Sequence, residues 1–203
     1  MKLYHAAPSP FVRKVMVTLH ETGQLDDVEI VDVQTVATAP AAELMPTNPL
    51  AKIPALERDE GPAIYDSRVI CAYLDDRANA GLYGEGNHRW ETLTLEATGD
   101  GIMDAGILMV YEGRIRPEDK QFDGWVDAQW SKIERTVAAL NQRWMSHLHG
   151  PMGMGHIAVG CALGYLDFRM DARNWRAGND ALAAWYKGFA ERPSMQATRP
   201  PAA

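Results

Sequence analysis

A proline at the start of a short apolar run constrains the fold of this chain more than any other feature. Pro54 follows Ile53 and precedes the pair Ala55-Leu56. Because proline lacks an N–H group, it is tolerated at the first residue of a strand, where no ladder hydrogen bond is lost. X–Pro bonds adopt the cis form at modest free energy, and a cis Ile53–Pro54 bond would turn the N–H and C=O groups of Ile53 outward. We therefore expect a strand after Pro54, preceded by a strand-like backbone edge that can pair with a peptide.

A predicted helix start follows this strand. After a charged turn at residues 57–61 and a second apolar run at residues 62–65, Asp66 precedes the amphipathic residues 68–77. Asp66 is therefore predicted to cap the N-terminus of a helix. The unpaired N–H groups and the positive dipole end of such a terminus attract a carboxylate, and the hydroxyl group of Ser67 adds another donor. Together, the two features favour an anionic, peptide-like ligand.

The first half of the chain is predicted to form a βαβ unit followed by a hairpin. Residues 2–5 read as a strand, residues 11–21 as a helix and residues 28–33 as a second strand. With the hairpin at residues 55–65 and the helix after Asp66, the predicted order is β-α-β-α-β-β-α, which is thioredoxin-like.

The second half of the chain is predicted to be helical. All six tryptophans lie after Leu82, whereas seven of the twelve prolines lie at or before Pro62. Apolar stripes at helical spacing predict four helices, at residues 89–112, 122–149, 156–170 and 181–191. We expect an α/β thioredoxin-like N-terminal domain at residues 1–80, a linker at 81–87 and an all-α helical-bundle domain at 88–203, with an irregular tail.

Composition limits the partners and the location of the protein. The formal charge of −7 and the pI near 5.3 argue against a nucleic-acid surface, and no apolar stretch is long enough to cross a bilayer. The chain enters a strand directly at Lys2 rather than a signal peptide, so we expect a cytoplasmic protein without a membrane partner. Cys71 and Cys161 are predicted to be buried thiols. The histidines show no metal-binding pattern, and we expect no metal.

These motifs together resemble the glutathione transferase superfamily, whose N-terminal domain is thioredoxin-like. The resemblance covers the whole chain and is carried by three segments: Pro8-Ser9-Pro10-Phe11-Val12-Arg13-Lys14-Val15, Asn48-Pro49-Leu50-Ala51-Lys52-Ile53-Pro54 and Tyr65-Asp66-Ser67. The family usually places Glu where Asp66 stands, an exchange that keeps the charge and shortens its reach. The resemblance implies a homodimer that binds glutathione as co-substrate on the N-terminal domain and a small, hydrophobic electrophile in the cleft facing the helical domain.

The resemblance also implies roles for single residues of the glutathione site. Ile53 would pair its backbone with the cysteinyl part of glutathione beside cis-Pro54. Asp66 and Ser67 would hold the γ-glutamyl end. Lys52 would either meet the glycyl carboxylate or lie on the solvent rim without a role.

Two further positions are assigned by the same resemblance. Phe11 would contribute to the glutathione site next to Ser9. Asp100 shares a helix face with Asp104, and it would either reach across a dimer to the amino group of the γ-glutamyl part or be a solvated acid. In the family that this chain resembles, the helix corresponding to residues 156–170 usually begins with a capping box, in which Ser or Thr is followed three residues later by Asp. Here we assign those two positions to His156 and Val159, which leaves the helix without an evident cap.

Ser9 is the predicted catalytic residue. It precedes Pro10, a residue type favoured at the first helical position, so Ser9 could simply be an N-cap. The same geometry lets its hydroxyl group donate to the glutathione thiolate while the helix dipole lowers the thiol pKa. Lowering the pKa by two units requires ~2.7 kcal/mol, and one hydrogen bond to a charged group contributes ~1.5–3 kcal/mol. Tyr4 and His5 are the competing residues for this role.

Other functions of the same fold stay open. The chain lacks a cysteine at the Ser9 position, which disfavours the thiol-transferring branches, and the segment from His5 to Ser9 lacks the serine-rich signature of the zeta-like isomerases. The alternatives to conjugation are a non-catalytic glutathione-binding or regulatory protein, and a glutathione-dependent isomerase, peroxidase or dehalogenase.

Overall fold

The computed structural model describes residues 1–201 and divides the chain into two compact units. The first unit contains residues 1–84 together with the tail from Pro193 onward. The second unit contains the residues from Glu85 to Arg192.

The first unit is built on a small mixed sheet of β1 (Lys2–His5), β2 (Glu29–Asp32) and β3 (Ala55–Glu57). The strand order is β2-β1-β3, with β1 parallel to β2 and antiparallel to β3. The parallel pair is joined by α1 (Pro10–Glu21), as the predicted βαβ unit requires, and α2 (Ser67–Ala78) follows β3. The predicted α/β thioredoxin-like class of this unit is confirmed.

Two of the predicted elements of this unit are reduced in the structure. The second strand of the hairpin is a single antiparallel bridge between Leu56 and Ile64. Pairing stops there because Pro62 has no N–H group, and its carbonyl oxygen accepts hydrogen bonds from the Arg58 side chain at 3.0 and 2.9 Å. The predicted helix between β2 and β3 is only a short 3-10 turn at Ala42–Leu44.

The second unit is entirely helical, as predicted, and consists of α3 (Gly86–Ile115), α4 (Asp123–Arg143), α5 (Met145–Leu148), α6 (Met154–Met170) and α7 (Asp180–Phe189). The helix predicted at residues 122–149 ends at Arg143 and is followed by the short helix α5. Residues 154–166 of α6 are all buried, so α6 is the central helix of this unit. Within the described residues, no helix is long and apolar enough to cross a membrane.

The glycines of α3 mark where α6 packs closest. A Cβ atom added to Gly99 would lie 2.6 Å from the carbonyl carbon of Ala158 on α6, whereas one added to Gly101 would meet nothing within 4 Å. A glycine inside a helix weakens it, and a close approach of another backbone is one reason for its presence. The close approach of α6 explains why residue 99 is a glycine. No such approach explains the glycine at residue 101.

The cap of α6 corrects the sequence assignment. The N-cap residue is Gly153, and His156 occupies the third helical position rather than the cap. The Nδ1 atom of His156 accepts a hydrogen bond from the N–H group of Gly153, the bond that an acidic side chain makes in a capping box. The helix start is therefore capped by an imidazole, and Val159 takes no part.

The C-terminal tail, predicted to be irregular, forms α8 (Pro193–Ala197) against α1. The buried guanidinium group of Arg13 donates hydrogen bonds to the carbonyl oxygen of Met195 at 3.0 Å and to Oγ1 of Thr198 at 3.4 Å. The hydroxyl group of Ser194 donates to a carboxylate oxygen of Glu21, at the other end of α1. The tail is thus attached to α1 near both of its ends.

Candidate functional site

Three predicted site segments lie at one end of the sheet in the first unit. Because β1 and β3 are antiparallel with Tyr4 opposite Ala55, the carboxyl end of β1 lies beside the amino end of β3. Ser9 follows β1, and Ile53 precedes β3 with only Pro54 between them. The bridge between Leu56 and Ile64 is also antiparallel, so the chain after Ile64 runs back toward the same end and begins α2 there.

Ser9 caps α1 and keeps a hydroxyl proton for a ligand. Its backbone is extended, Pro10 is the first helical residue, and Oγ accepts a hydrogen bond from the N–H group of Val12 at 3.3 Å. The oxygen is the acceptor in this bond, so the O–H group is still able to donate. Capping and thiolate binding are therefore compatible in one side chain. Phe11, the second helical residue, is half-buried beside it.

The two residues that compete with Ser9 already have partners in the sheet. The hydroxyl group of the buried Tyr4 donates to Oε1 of Glu57 at 2.8 Å, and Thr47 donates to the same oxygen at 2.8 Å. These two hydrogen bonds, that from Tyr4 first, lower the pKa of Glu57. Nδ1 of His5 lies 2.6 Å from Oδ1 of Asp32 on β2. Tyr4 therefore acts as a packing residue of the sheet.

The backbone of Ile53 is open for pairing, as the proline pattern predicted. The Ile53–Pro54 peptide bond is cis. Within the described part of the chain, the N–H and C=O groups of Ile53 make no hydrogen bond. A buried or half-buried backbone group normally finds a partner, so this pair is suited to a peptide-like ligand.

The loop before Ile53 is held by a residue whose role the sequence reading did not assign. The side chain of the buried Asn48 donates to the carbonyl oxygen of Lys52 at 2.8 Å and accepts from the N–H group of Leu50 at 3.0 Å. An Asn side chain that bonds to the backbone two residues later is a turn signal, and the Asn48-Pro49 pair is the sequence cue for it. Lys52 itself is exposed and makes no ion pair with any described residue.

The start of α2 has the predicted form. Asp66 is the N-cap residue, and its Oδ1 atom accepts a hydrogen bond from the N–H group of Arg68 at 2.9 Å. The Tyr65–Asp66 peptide bond is cis. Ser67 is the first helical residue and is buried, whereas the carboxylate of Asp66 is exposed. A negative cap beside unpaired helix N–H groups offers an acceptor for an amino group and donors for a carboxylate.

Asp100 belongs to α3, in the second unit. Only 2 % of the residue is exposed. Its contact with the γ-glutamyl amino group on a neighbouring chain stays a prediction. Asp104, one turn later, is exposed. Of the two aspartates on this face, Asp104 is therefore the more exposed.

Comparison with known proteins decides the family. The model of the glutathione S-transferase N-terminal domain matches residues 3–85, and that of the C-terminal domain matches residues 123–188. The chain is 32% identical to an uncharacterized GST-like protein YibF of Escherichia coli (strain K12), over 100% of both proteins. This chain belongs to the glutathione S-transferase family.

Solved structures of the glutathione S-transferase family match the whole chain. A glutathione transferase family member from Pseudomonas fluorescens Pf-5 with bound glutathione is 48% identical, with a TM-score of 0.96 and 99% of each chain covered. A structure of a family member from the same organism with bound S-(propanoic acid)-glutathione is 46% identical, with a TM-score of 0.90 and 100% of each chain covered. In the residues of this protein that the structure describes, no group of three or more metal-binding side chains is present.

Proposed function

We propose that this protein binds glutathione on its first unit and transfers the glutathione sulfur to a small electrophile. The observation that carries the proposal is the sheet end that holds the Ser9 hydroxyl group, the unpaired backbone of Ile53 and the start of α2. The glutathione-bound neighbour at 48% identity supports the same ligand.

Each of these groups matches a different part of glutathione. The N–H and C=O groups of Ile53 would pair with the cysteinyl residue in the manner of an added strand. The carboxylate of Asp66 would accept from the γ-glutamyl amino group, and the N–H and hydroxyl groups of Ser67 would donate to its carboxylate. The exposed Lys52 would meet the glycyl carboxylate, and Phe11 would pack beside the ligand.

The proposed reaction begins with a thiolate. The Ser9 hydroxyl group donates to the sulfur, and the positive end of α1 acts in the same direction, so both lower the pKa of the bound thiol. The thiol proton leaves to solvent, and the thiolate sulfur forms a bond to the electrophilic carbon. As this bond forms, either a leaving group departs from that carbon with its bonding electron pair, or a carbon–carbon π bond breaks and the adjacent carbon takes a proton from water. The bound S-(propanoic acid)-glutathione of the second neighbour is a thioether of this kind, which supports a conjugate as the product here.

A homodimer is part of the proposal. Each unit exposes large apolar side chains, including Leu50 and Val69 in the first unit and Trp90 in the second, which are 65%, 48% and 66% exposed. Apolar side chains of this size favour burial in a protein interface. Light scattering at working concentration should give the mass of two chains. A mass of one chain would contradict the dimer and would also remove the neighbouring chain whose ligand Asp100 is predicted to contact.

The function is tested by binding and turnover together. Calorimetry should show glutathione binding, and glutathione should raise the melting temperature by linkage. The turnover screen should include aryl halides, unsaturated carbonyl compounds, peroxides and halogenated acids, which separate conjugation from the isomerase, peroxidase and dehalogenase alternatives.

Ser67→Ala should weaken glutathione binding. The control Ser131→Ala, which changes a half-buried serine of α4, should leave binding unchanged. No heat and no thermal shift at millimolar glutathione would contradict the proposal. Binding without turnover of any electrophile would favour a binding or regulatory protein.

A further inference from the structure

The hydroxyl group of Thr35 links two loops of the first unit. Oγ1 of Thr35 donates a hydrogen bond to the carbonyl oxygen of Ala51 at 3.0 Å. The same oxygen accepts a hydrogen bond from the N–H group of Ala41 at 3.2 Å. A threonine hydroxyl group has one donor and two acceptor positions, so both bonds can form together. Thr35 therefore connects the chain after β2 with the segment that leads into Ile53.

The loop that contains Thr35 is itself held in place. Val36 and Ala39 form an isolated antiparallel bridge, with N···O distances of 3.3 and 3.0 Å. Ala41, which follows this turn, belongs to a buried apolar cluster of the sheet, and the half-buried side chain of Ile53 packs against the same cluster. The hydroxyl group of Thr35 is thus attached to a fixed part of the unit rather than to a free loop.

Ala51 has a backbone conformation that requires support. Its φ angle is +50°, in the left-handed region that residues with a Cβ atom rarely adopt. Such a residue persists where the surrounding contacts determine its conformation. The N–H group of Ala51 donates to the carbonyl oxygen of Asn48 at 2.8 Å, and its carbonyl oxygen accepts from Thr35. No other hydrogen bond to this carbonyl oxygen is present in residues 1–201.

The planarity of the peptide bond extends this constraint to Ile53. The carbonyl group of Ala51 shares a peptide plane with the N–H group of Lys52, and the carbonyl group of Lys52 shares one with the N–H group of Ile53. Thr35 holds the first plane, and Asn48 holds the second through its 2.8 Å bond to the Lys52 carbonyl oxygen. The N–H and C=O groups of a trans peptide point in opposite directions. The Ile53 N–H group therefore points away from Asn48.

The orientation of the Ile53 N–H group matters for the proposed ligand. This group makes no hydrogen bond among the described residues, and in the proposed strand-like pairing it donates to the cysteinyl carbonyl oxygen of glutathione. A donor that is already oriented loses less conformational entropy on binding than a mobile one. The two peptide planes before Ile53 therefore influence how tightly glutathione binds.

We propose that Thr35 is a positioning residue for glutathione. Its hydroxyl group fixes the Ala51–Lys52 peptide plane. Together with the plane that Asn48 holds, this orients the Ile53 N–H group toward the cysteinyl carbonyl oxygen. The inference rests on the proposed function, because it names a residue that supports the same glutathione site. Thr35 acts through the backbone rather than on the sulfur, so it contributes to glutathione binding and not to formation of the thiolate.

Thr35→Val tests this role, because it keeps the branched side chain and removes both hydrogen bonds of the hydroxyl group. Calorimetry on the full chain should show that this variant binds glutathione roughly 3- to 10-fold more weakly, as expected for the loss of a neutral hydrogen bond. The KM for glutathione should rise by the same factor. Because Ser9 is intact, kcat and the pKa of the bound thiol should stay unchanged. Thr35→Ser keeps a hydroxyl group and should restore the affinity.

Thr22→Val is the matched control. The half-buried Thr22 also donates to a backbone carbonyl oxygen, that of Thr18 at 2.8 Å, and also accepts a hydrogen bond, from Nε2 of Gln24 at 2.7 Å. It lies at the C-terminal end of α1, whereas Ser9 lies at the N-terminal end. Thr22→Val should therefore lower the melting temperature without changing the affinity for glutathione.

An analogue of glutathione identifies the hydrogen bond that Thr35 supports. In the alkene isostere, a trans carbon–carbon double bond replaces the cysteinyl–glycyl peptide bond, so the carbonyl acceptor for the Ile53 N–H group is missing. The unaltered protein should bind glutathione roughly 3- to 10-fold more tightly than this isostere. In Thr35→Val the ratio of the two affinities should fall toward one, because a misaligned N–H group gains little from the carbonyl group.

Two results would overturn the role of Thr35 and leave the proposed function intact. One is an unchanged glutathione affinity in Thr35→Val, and the other is an isostere ratio in Thr35→Val equal to that of the unaltered protein. Thr35→Ala also lacks the hydroxyl group, so it allows the same comparison if the valine variant does not fold. Absence of glutathione binding to the unaltered protein would instead contradict the proposed function.

Discussion

The imidazole ring of His156 accepts a hydrogen bond from the backbone N–H group of Gly153, with 3.1 Å between Nδ1 and the nitrogen. To accept this bond, Nδ1 must be unprotonated, so the ring is neutral with its proton on Nε2. Burial lowers the pKa of His156, and the positive charges of His88 and Arg192 act in the same direction, against the carbonyl groups of residues 147–148. The start of α6 therefore depends on a titratable cap.

The first prediction is that the free energy of unfolding decreases as the pH is lowered, because His156 titrates. The pKa of His156 is lower in the folded state than in the unfolded chain, so the unfolded chain takes up the proton first as pH falls. The stability that His156 contributes is complete above its pKa in the unfolded chain, ~6.5. This stability is lost as the pH falls from there toward the pKa of His156 in the folded state. His156→Asp should give a shallower fall, since an ionised carboxylate accepts the same bond.

Urea unfolding at a series of pH values measures this effect. His149→Asn, at an exposed histidine, is the control and should keep the slope of the unaltered protein. Equal slopes for the unaltered protein and His156→Asp would show that the cap does not titrate.

The second prediction uses two glycines of one helix. Gly99→Ala places a methyl group 2.6 Å from the backbone of Ala158, and we expect it to lower the free energy of unfolding by ~1–3 kcal/mol or more. Gly101→Ala meets nothing within 4 Å, and it should raise the free energy of unfolding by ~0.5–1 kcal/mol through helix propensity. Thermal and urea unfolding give both values, and a similar effect at the two positions would contradict the packing of α3 on α6.

The third prediction concerns the attachment of the tail. Arg13→Met keeps the apolar stem but removes the donors to Met195 and Thr198, so we expect a loss of ~1.5–3 kcal/mol of stability. Hydrogen exchange should become faster at the amides of α8 before it does so in β1. Arg143→Met, at an exposed arginine, serves as the control. Unchanged protection of α8 would mean that other contacts hold the tail.

The fourth prediction separates the two roles of Ser9. Loss of the cap alone in Ser9→Ala should cost ~0.5–2 kcal/mol of stability. If Ser9 also binds the thiolate, the pKa of bound glutathione, followed by ultraviolet absorbance, should rise toward that of the free thiol, and conjugation at neutral pH should slow. Ser9→Thr keeps a hydroxyl group and should restore both. An unchanged thiol titration in Ser9→Ala would assign the role to N–H groups at the start of α1.

The elements that could be predicted from the sequence are those that local chemistry determines. Pro10 and Ser9 define the start of α1, and Pro54 marks both the start of β3 and the open backbone of Ile53. The length of the second hairpin strand was overestimated, because an apolar run does not show which backbone groups pair with it. The carbonyl oxygen of Pro62 instead accepts hydrogen bonds from the Arg58 side chain.

Contacts between residues that are far apart along the chain could not be predicted from the sequence. The hydroxyl group of Tyr4 donates a hydrogen bond to Glu57. Helical periodicity could place Asp100 and Asp104 on one face, but it could not show that Asp100 is buried while Asp104 is exposed. The tail looked irregular because it is short and begins with proline. Its anchor, Arg13, is 182 residues away from Met195 along the chain.

The first unit is assembled from two segments that lie far apart in the sequence, and this has a consequence for its synthesis on the ribosome. The strands, α1 and α2 are translated before the second unit, and α8 is translated after it. All five helices of the second unit have left the exit tunnel before α8 can dock on α1. The half of the protein that is translated first is therefore the half that is completed last.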